Sequence, residues 1–196
     1  MKLETVEKKL GLTYPQAFRE IYESGAMRWM CGKPQAKSHL GPNLLLKTLN
    51  PEYYPHWDFL SFSMVERTRG TLFLRIKLNR GRWKEGAQPL PFAVTTEGDI
   101  YFLDAALEDP AAPVFWWIQE YGTIGRVHHS FENFICSNLC WPVLHYGMAA
   151  DHWWVQNQLR WLTPEHQAVL ASGDPAALET LFTQTGCCED ADYISY

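Results

Sequence analysis

The chain has 196 residues, of which 46% are hydrophobic and 20% are charged, and this balance is typical of one globular domain with a buried core. Its formal net charge of −5 disfavours a nucleic-acid partner, because phosphate recognition needs a basic face. The charged opening MKLETVEKKLGL is unlike a secretion signal, no apolar run reaches the length of a membrane helix, and the five cysteines lack a framework spacing. We therefore expect a cytoplasmic protein with reduced thiols and no membrane contact.

The first 54 residues are predicted to begin with two short helices. Apolar residues at helical spacing predict a helix from Leu3 to about Gly11, and Tyr14-Pro15 begins a second helix that Gly25 ends. Prolines, glycines and asparagines interrupt residues 26–54, where Leu44-Leu45-Leu46 is a brief candidate strand.

Strand patterns dominate the middle of the chain. Residues 57–65 fit a strand, and the alternation of Leu72, Leu74, Ile76 and Leu78 with other residues predicts a half-buried strand over 71–78. The run Pro91 to Asp104 predicts a β-hairpin that turns at Thr96-Glu97-Gly98-Asp99. A further strand is expected at 114–118 and a short edge element at 126–129.

Helices are predicted to follow residue 130. Ser130 is a candidate N-cap for a helix that Pro142 ends, and Thr163-Pro164 and Asp174-Pro175 each have the residue types of a helix start. The acidic segment from Gly186 to Tyr196 is expected to be frayed.

Three separated segments resemble the SUKH superfamily in order and spacing over about residues 1–140. The first is Leu10-Gly11-Leu12-Thr13-Tyr14-Pro15 with Phe18, in front of Ser24-Gly25-Ala26, where the family often has Asn-Gly-Gly. The second is the run from Pro91 to Asp104, and the third is Ser130-Phe131-Glu132-Asn133-Phe134-Ile135.

The resemblance implies a fold and a role. The fold would be α+β, with a mixed, mostly antiparallel sheet flanked by N-terminal and C-terminal helices, in a domain of residues 1–140. Residues 141–196 would form a helical extension packed on that domain. The usual role would be a non-catalytic immunity protein that binds a cognate toxin domain and occludes its active site. A scaffold or regulatory protein of the same family, without a toxin partner, is the alternative.

Consecutive aromatic residues are candidate partner contacts. In an extended backbone, adjacent rings point to opposite faces, so one ring of each pair points away from the core in Tyr53-Tyr54, Trp116-Trp117 and Trp153-Trp154. The interpretation that we favour is that covering layers bury both faces of the sheet. The acidic balance suits a basic toxin such as a nuclease. The expected partner-binding residues are Trp57, Glu97, Asp99 and Trp117, in a monomer or weak homodimer without a cofactor.

Two catalytic alternatives are less favoured. Glu97, Asp99 and Asp104 could supply a pair of carboxylates for acid–base hydrolysis, although no nucleophile accompanies them. Cys136 and Cys140 could share a helix face and bind a metal with His145 or His152, but two thiols four residues apart more often face a core.

Two further pairs carry a weaker signal. His128-His129 is expected to hold one buried and one exposed ring, and Cys187-Cys188 is expected to be a pair of incidental exposed thiols.

Overall fold

A computed structural model describes residues 2–24, 57–95 and 97–195, with backbone only for residues 57–59, 153, 154 and 157. The predictions for residues 25–54, for Thr96 and for the side chains of Trp57, Trp153 and Trp154 fall outside this description. The helices are α1 (Leu3–Leu10), α2 (Gln16–Glu23), α3 (Phe62–Leu78), α4 (Phe131–Tyr146), α5 (Trp153–Gln158), α6 (Pro164–Ser172) and α7 (Pro175–Thr185). The strands are β1 (Trp57–Phe59), β2 (Arg82–Trp83), β3 (Pro89–Thr95), β4 (Ile100–Asp104), β5 (Val114–Ile118), β6 (Thr123–His128), β7 (Glu189–Asp190) and β8 (Ile194–Ser195).

Six strands form the main sheet in the order β1-β3-β4-β5-β6-β7, and every described pairing is antiparallel. The predicted β3–β4 hairpin is confirmed. Gly98 takes a positive φ of 94°, and the amide N–H of Asp99 donates to the Thr95 hydroxyl over 3.0 Å. A glycine suits this turn because it has no Cβ to strain the left-handed region. The separate pair β2-β8 joins the loop after α3 to the end of the chain.

Each face of the sheet carries its own core. The larger core packs one face against helices α1, α2, α4, α5, α6 and α7 and the first turns of α3, with Phe18, Phe92 and Phe131 among its fully buried rings. The smaller core lies on the other face. Its buried members are Leu72, Ile76, Ile100, Phe102, Phe115, Trp117, Ile124 and Tyr193. Covering layers on both faces explain how large rings are buried on either side of the sheet, such as Phe92 in the larger core and Trp117 in the smaller one.

The strand prediction for residues 71–78 is wrong, and so is the one for most of 57–65. Helix α3 begins at Phe62 and runs to Leu78, and Leu74 and Leu78 are 56% and 68% exposed. The segment 71–78 fits a period of two residues, but Phe62, Val65, Leu72 and Ile76 are buried at helical spacing over the longer window. A short window therefore cannot separate the two structures here.

Pro142 does not end a helix as predicted, because α4 continues through it to Tyr146. An interior proline removes a backbone donor and typically costs about 3 kcal/mol. In α4 it is buried, and helix packing offsets that cost. The predicted helix starts are confirmed: the side chains of Ser130, Thr163 and Asp174 each accept a hydrogen bond from a first-turn backbone N–H.

The predictions for the edge element at 126–129 and for the tail that begins at Gly186 are also wrong. Strand β6 begins at Thr123 and is paired on both sides, by β5 and by β7. The acidic tail is ordered rather than frayed, since Ala191 N–H donates to Ile124 O over 3.0 Å and the Tyr193 side chain is only 6% exposed. The tail closes the smaller core from outside.

The fold class is therefore confirmed as α+β. The domain division at residue 140 stays a prediction, although α4 passes through that position without a break. Within the ranges described above, no helix is both long and apolar enough to cross a membrane.

Candidate functional site

Two clefts meet at the end of the sheet where β4 ends. The first, of about 600 Å³, lies between the loop 84–87, the segment 104–109 and the tail 189–193. The second, of about 500 Å³, lies between the loop 11–16 and residues 104–110. Asp104 and Asp109 line both clefts, so the segment after β4 forms the ridge between them.

Asp104 anchors this ridge. Its Oδ1 accepts hydrogen bonds from the backbone N–H of Gln88 (2.8 Å) and of Ala106 (2.9 Å), and its Oδ2 accepts one from the Tyr193 hydroxyl (2.7 Å). Burial, and then the hydrogen bond to Asp104, raise the pKa of Tyr193, so its hydroxyl remains a donor at neutral pH. One side chain thus joins the loop before β3, the turn after β4 and the tail.

The ridge also holds strained backbone. Glu108 and Ala112 have positive φ angles of 49° and 55°, in the left-handed region that side chains disfavour. Such residues persist only where the surrounding structure holds them, and they are common at functional sites. Leu107 stands beside Glu108 with 46% of its surface exposed.

The far wall of the second cleft is held by Glu7. Its Oε1 accepts a hydrogen bond from the backbone N–H of Tyr14 over 2.9 Å. Its carboxylate also pairs with Arg19, and the hydrogen bond from Arg19 to Glu7 is the main reason that the pKa of Arg19 is raised. Tyr14 itself is buried, and its ring stacks on Phe18 at 4.6 Å between centroids. Glu7 therefore fixes the middle of loop 11–16 through Tyr14, and it joins the two helices on either side of the loop through Arg19.

The two clefts are strongly acidic. The carboxylates that line them are Glu85, Asp104, Glu108, Asp109, Glu189, Asp190 and Asp192. All but Asp104 are exposed. The basic residues of the lining are Lys84 and Arg126. These nine residues are seven of the chain's 22 acidic residues and two of its 17 basic residues. The rest of the chain therefore has 15 acidic and 15 basic residues. We call this surface the acidic end, and its local imbalance equals the whole formal charge of −5.

The four residues predicted to bind a partner lie at the opposite end of the sheet. Glu97 is exposed in the β3–β4 turn, and the backbone of Trp57 pairs with Thr95 in the neighbouring strand. Asp99 is 9% exposed, and its Oδ1 accepts from the Gln119 backbone N–H over 2.8 Å, which ties the turn to the end of β5. Trp117 is only 1% exposed, so its ring is not presented to a partner. Among the predicted residues whose side chains are described, only Glu97 is exposed.

Of the carboxylates considered for hydrolysis, Asp104 is not brought close to Asp99. Asp99 lies just before β4 and Asp104 at its far end, so an extended strand separates them by roughly 17 Å. Paired catalytic carboxylates lie within about 10 Å of each other. Both side chains are also engaged by backbone N–H groups.

The cysteine pair considered for a metal lies in the larger core. Cys136 and Cys140 are fully buried, and their mutual hydrogen bond together with burial raises the pKa of Cys136. His145 instead packs on Trp141, at 3.9 Å between ring centroids. Among the described residues, neither cysteine belongs to a group of metal-binding atoms.

Sequence reasoning missed the acidic end. Its signals were present in two segments, the run Glu108-Asp109 and the run Glu189-Asp190-Ala191-Asp192, but the second was expected to be frayed. The pairing of β7 with β6 and the hydrogen bond from Tyr193 to Asp104 bring the second run beside the first.

Comparison with known proteins supports the family resemblance. The model of the SMI1/KNR4 family (SUKH-1) matches residues 2–137, more than half of the chain. No curated protein and no solved structure matches the chain significantly. The matched residues include Asp104 and the ridge, whereas the tail that completes the first cleft lies beyond them.

Proposed function

The chain belongs to the SMI1/KNR4 (SUKH-1) family, and we propose that it is a non-catalytic immunity protein whose acidic end binds a basic toxin domain. The observation that carries this proposal is the concentration of the net charge at one end of the sheet. Surfaces of one sign attract partners of the opposite sign and raise the rate of association. A nuclease domain is a suitable toxin, because the face with which it meets phosphates is basic.

The mechanism that fits the geometry is occlusion by a preformed surface. The ridge is fixed by the hydrogen bonds of Asp104, and the wall of the second cleft by those of Glu7, so little side-chain or loop ordering is needed on binding. The exposed carboxylates on either side of the ridge would pair with basic residues around the toxin's active site. Leu107, exposed at the crest, would provide an apolar contact between them.

The proposal is tested with any toxin domain encoded beside the gene. The variant Glu108→Lys/Asp109→Lys reverses two charges on the ridge without touching Asp104. We expect it to slow association with the toxin by about tenfold at low salt, and to lose growth rescue when the two proteins are co-expressed. The wild-type rate should fall as salt rises, because screening shortens the reach of surface charge.

The matched control is Glu179→Lys/Glu165→Lys, which makes the same charge change at exposed positions of α6 and α7, outside both clefts. If this control weakens binding as much as the ridge variant, the acidic end is not the interface. If the wild-type protein binds and protects against no adjacent toxin, the immunity role is wrong, and the scaffold role is favoured.

A further inference from the structure

Three potential metal ligands meet where the carboxy-terminal tail leaves α7. The Nδ1 or Nε2 of His129, the Sγ of Cys187 and a carboxylate oxygen of Glu189 lie within 4.8 Å of one another. His129 Nε2 is 3.7 Å from Glu189 Oε1. This group differs from the cysteine pair of the core, and it combines one residue from each of the two weak pairs noted in the sequence.

Backbone pairing brings these residues together. Cys187 N–H donates to Val127 O over 2.8 Å, and Glu189 pairs with Arg126 across β6 and β7. His128 fixes the neighbouring position, since its Nδ1 lies 2.8 Å from Thr185 O at the end of α7. Main-chain contacts therefore hold Cys187 and Glu189, and the Cys187 thiol donates to Arg126 O over 3.3 Å.

Arg126 orients the carboxylate. Its guanidinium bonds to Glu189 Oε2, with the Nε contact at 2.9 Å, and the other oxygen, Oε1, is the one nearest His129. A carboxylate held in this way can bridge a cation and the guanidinium, as outer hydrogen bonds commonly orient metal ligands. A dication with one thiolate and one carboxylate carries no net charge, so Arg126 does not face an uncompensated positive ion.

We propose that His129, Cys187 and Glu189 bind one zinc ion that fastens the tail to the end of β6. Thiolate, imidazole and carboxylate are the ligands that zinc prefers, and tetrahedral zinc places N and O ligands roughly 3.4 Å apart. The observed distance of 3.7 Å between His129 Nε2 and Glu189 Oε1 is close to this value. A small rotation of the exposed His129 side chain would bring the two atoms to the distance that zinc requires. Cys187 gives up its thiol proton to solvent when the Zn–S bond forms, and water takes the fourth position. Its test requires no toxin partner.

The first test uses cobalt(II) as a spectroscopic substitute in full-length protein without a histidine tag. We expect one equivalent to bind, with a thiolate-to-cobalt charge-transfer band and visible bands of tetrahedral intensity, and zinc to displace it. Cys187→Ser should remove the charge-transfer band. His129→Gln and Glu189→Gln should each weaken zinc binding at least tenfold, by competition with a chromophoric chelator.

The controls are Cys188→Ser, which alters the neighbouring exposed thiol, and His145→Gln, which alters an exposed imidazole on α4. Both should bind zinc like the wild type. The proposal is overturned if the charge-transfer band is absent from the wild type, persists in Cys187→Ser, or is lost equally in Cys188→Ser. A second measurement is the thermal midpoint, which should rise with zinc concentration in the wild type and should need at least tenfold more zinc for the same rise in His129→Gln, a mild surface change.

Discussion

The hydrogen bond between Tyr193 and Asp104 should account for much of the tail's contribution to stability. The Tyr193 ring packs against Phe102 and Phe115 at 5.8 and 4.8 Å between centroids, and its hydroxyl lies 2.7 Å from Asp104 Oδ2. Tyr193→Phe keeps the ring and removes only the hydroxyl. Because hydrogen bonds to charged acceptors contribute more than neutral ones, we expect a loss of about 2 kcal/mol in the free energy of unfolding.

The truncation Tyr193→Ala should cost more, since it also removes a ring that is 94% buried in the smaller core. Large-to-small changes of aromatic residues typically cost about 3–5 kcal/mol. Urea unfolding at equilibrium, followed by tryptophan fluorescence, measures both variants. For a chain of this size, a loss of 2 kcal/mol corresponds to a drop in Tm of about 4–8 °C.

A double-mutant cycle isolates the contact. Asp104→Asn is combined with Tyr193→Phe, and the coupling free energy between the two positions should be about 1 kcal/mol or more. A coupling near zero, with Tyr193→Ala costing less than about 1 kcal/mol, would show that the tail does not close the smaller core in solution. The ridge would then not be anchored to the tail, since Asp104 would lack its bond to Tyr193.

Burial lowers the pKa of His128 from 6.5 to about 4, although its bond to Thr185 O opposes this, so the folded state holds a neutral ring. The free energy of unfolding should therefore fall as the pH drops from 6.5 toward 4, by about 2 kcal/mol between pH 7 and 5. Urea titrations with a chelator present measure this dependence, and it should be weaker in His128→Gln. Trp117→Phe should leave toxin binding unchanged, because the ring is buried, whereas Trp117→Ala should cost about 3–5 kcal/mol in calorimetry. Gly11→Ala should cost about 1 kcal/mol, because its φ of 65° is left-handed even though open space surrounds it. Gly70→Ala, inside α3 and equally uncrowded, should stabilise by about 0.5–1 kcal/mol, and equal shifts in the urea midpoints of the two glycine variants would contradict this contrast.

The sequence predicts those parts of the fold that depend on near neighbours. The β3–β4 hairpin forms as expected because Gly98 and Asp99 are themselves the turn. The helices after Ser130, Thr163 and Asp174 begin where expected because each cap bonds to an N–H two or three residues ahead. Two of these segments, the hairpin and the helix after Ser130, also carry the family resemblance, which the match over residues 2–137 confirms.

The errors share one cause, which is that distant contacts override local pattern. Residues 71–78 fit both a strand and a helix, and only burial against the sheet selects the helix. Pro142 disfavours a helix locally, yet α4 continues through it because the helix packs against the core.

The candidate sites show the same division most clearly. The sequence by itself determined an acidic, aromatic-rich α+β chain of a recognisable family, because composition, turn chemistry and helix capping act over a few residues. The tertiary structure alone decided that the carboxylates of two segments meet at one end of the sheet. It also decided that His129 lies beside Cys187 and Glu189. Both results depend on the pairing of Arg126 with Glu189, which are 63 positions apart in the chain. No local signal specifies a register between segments so far apart, because that register is chosen by the burial and hydrogen bonding of the whole sheet.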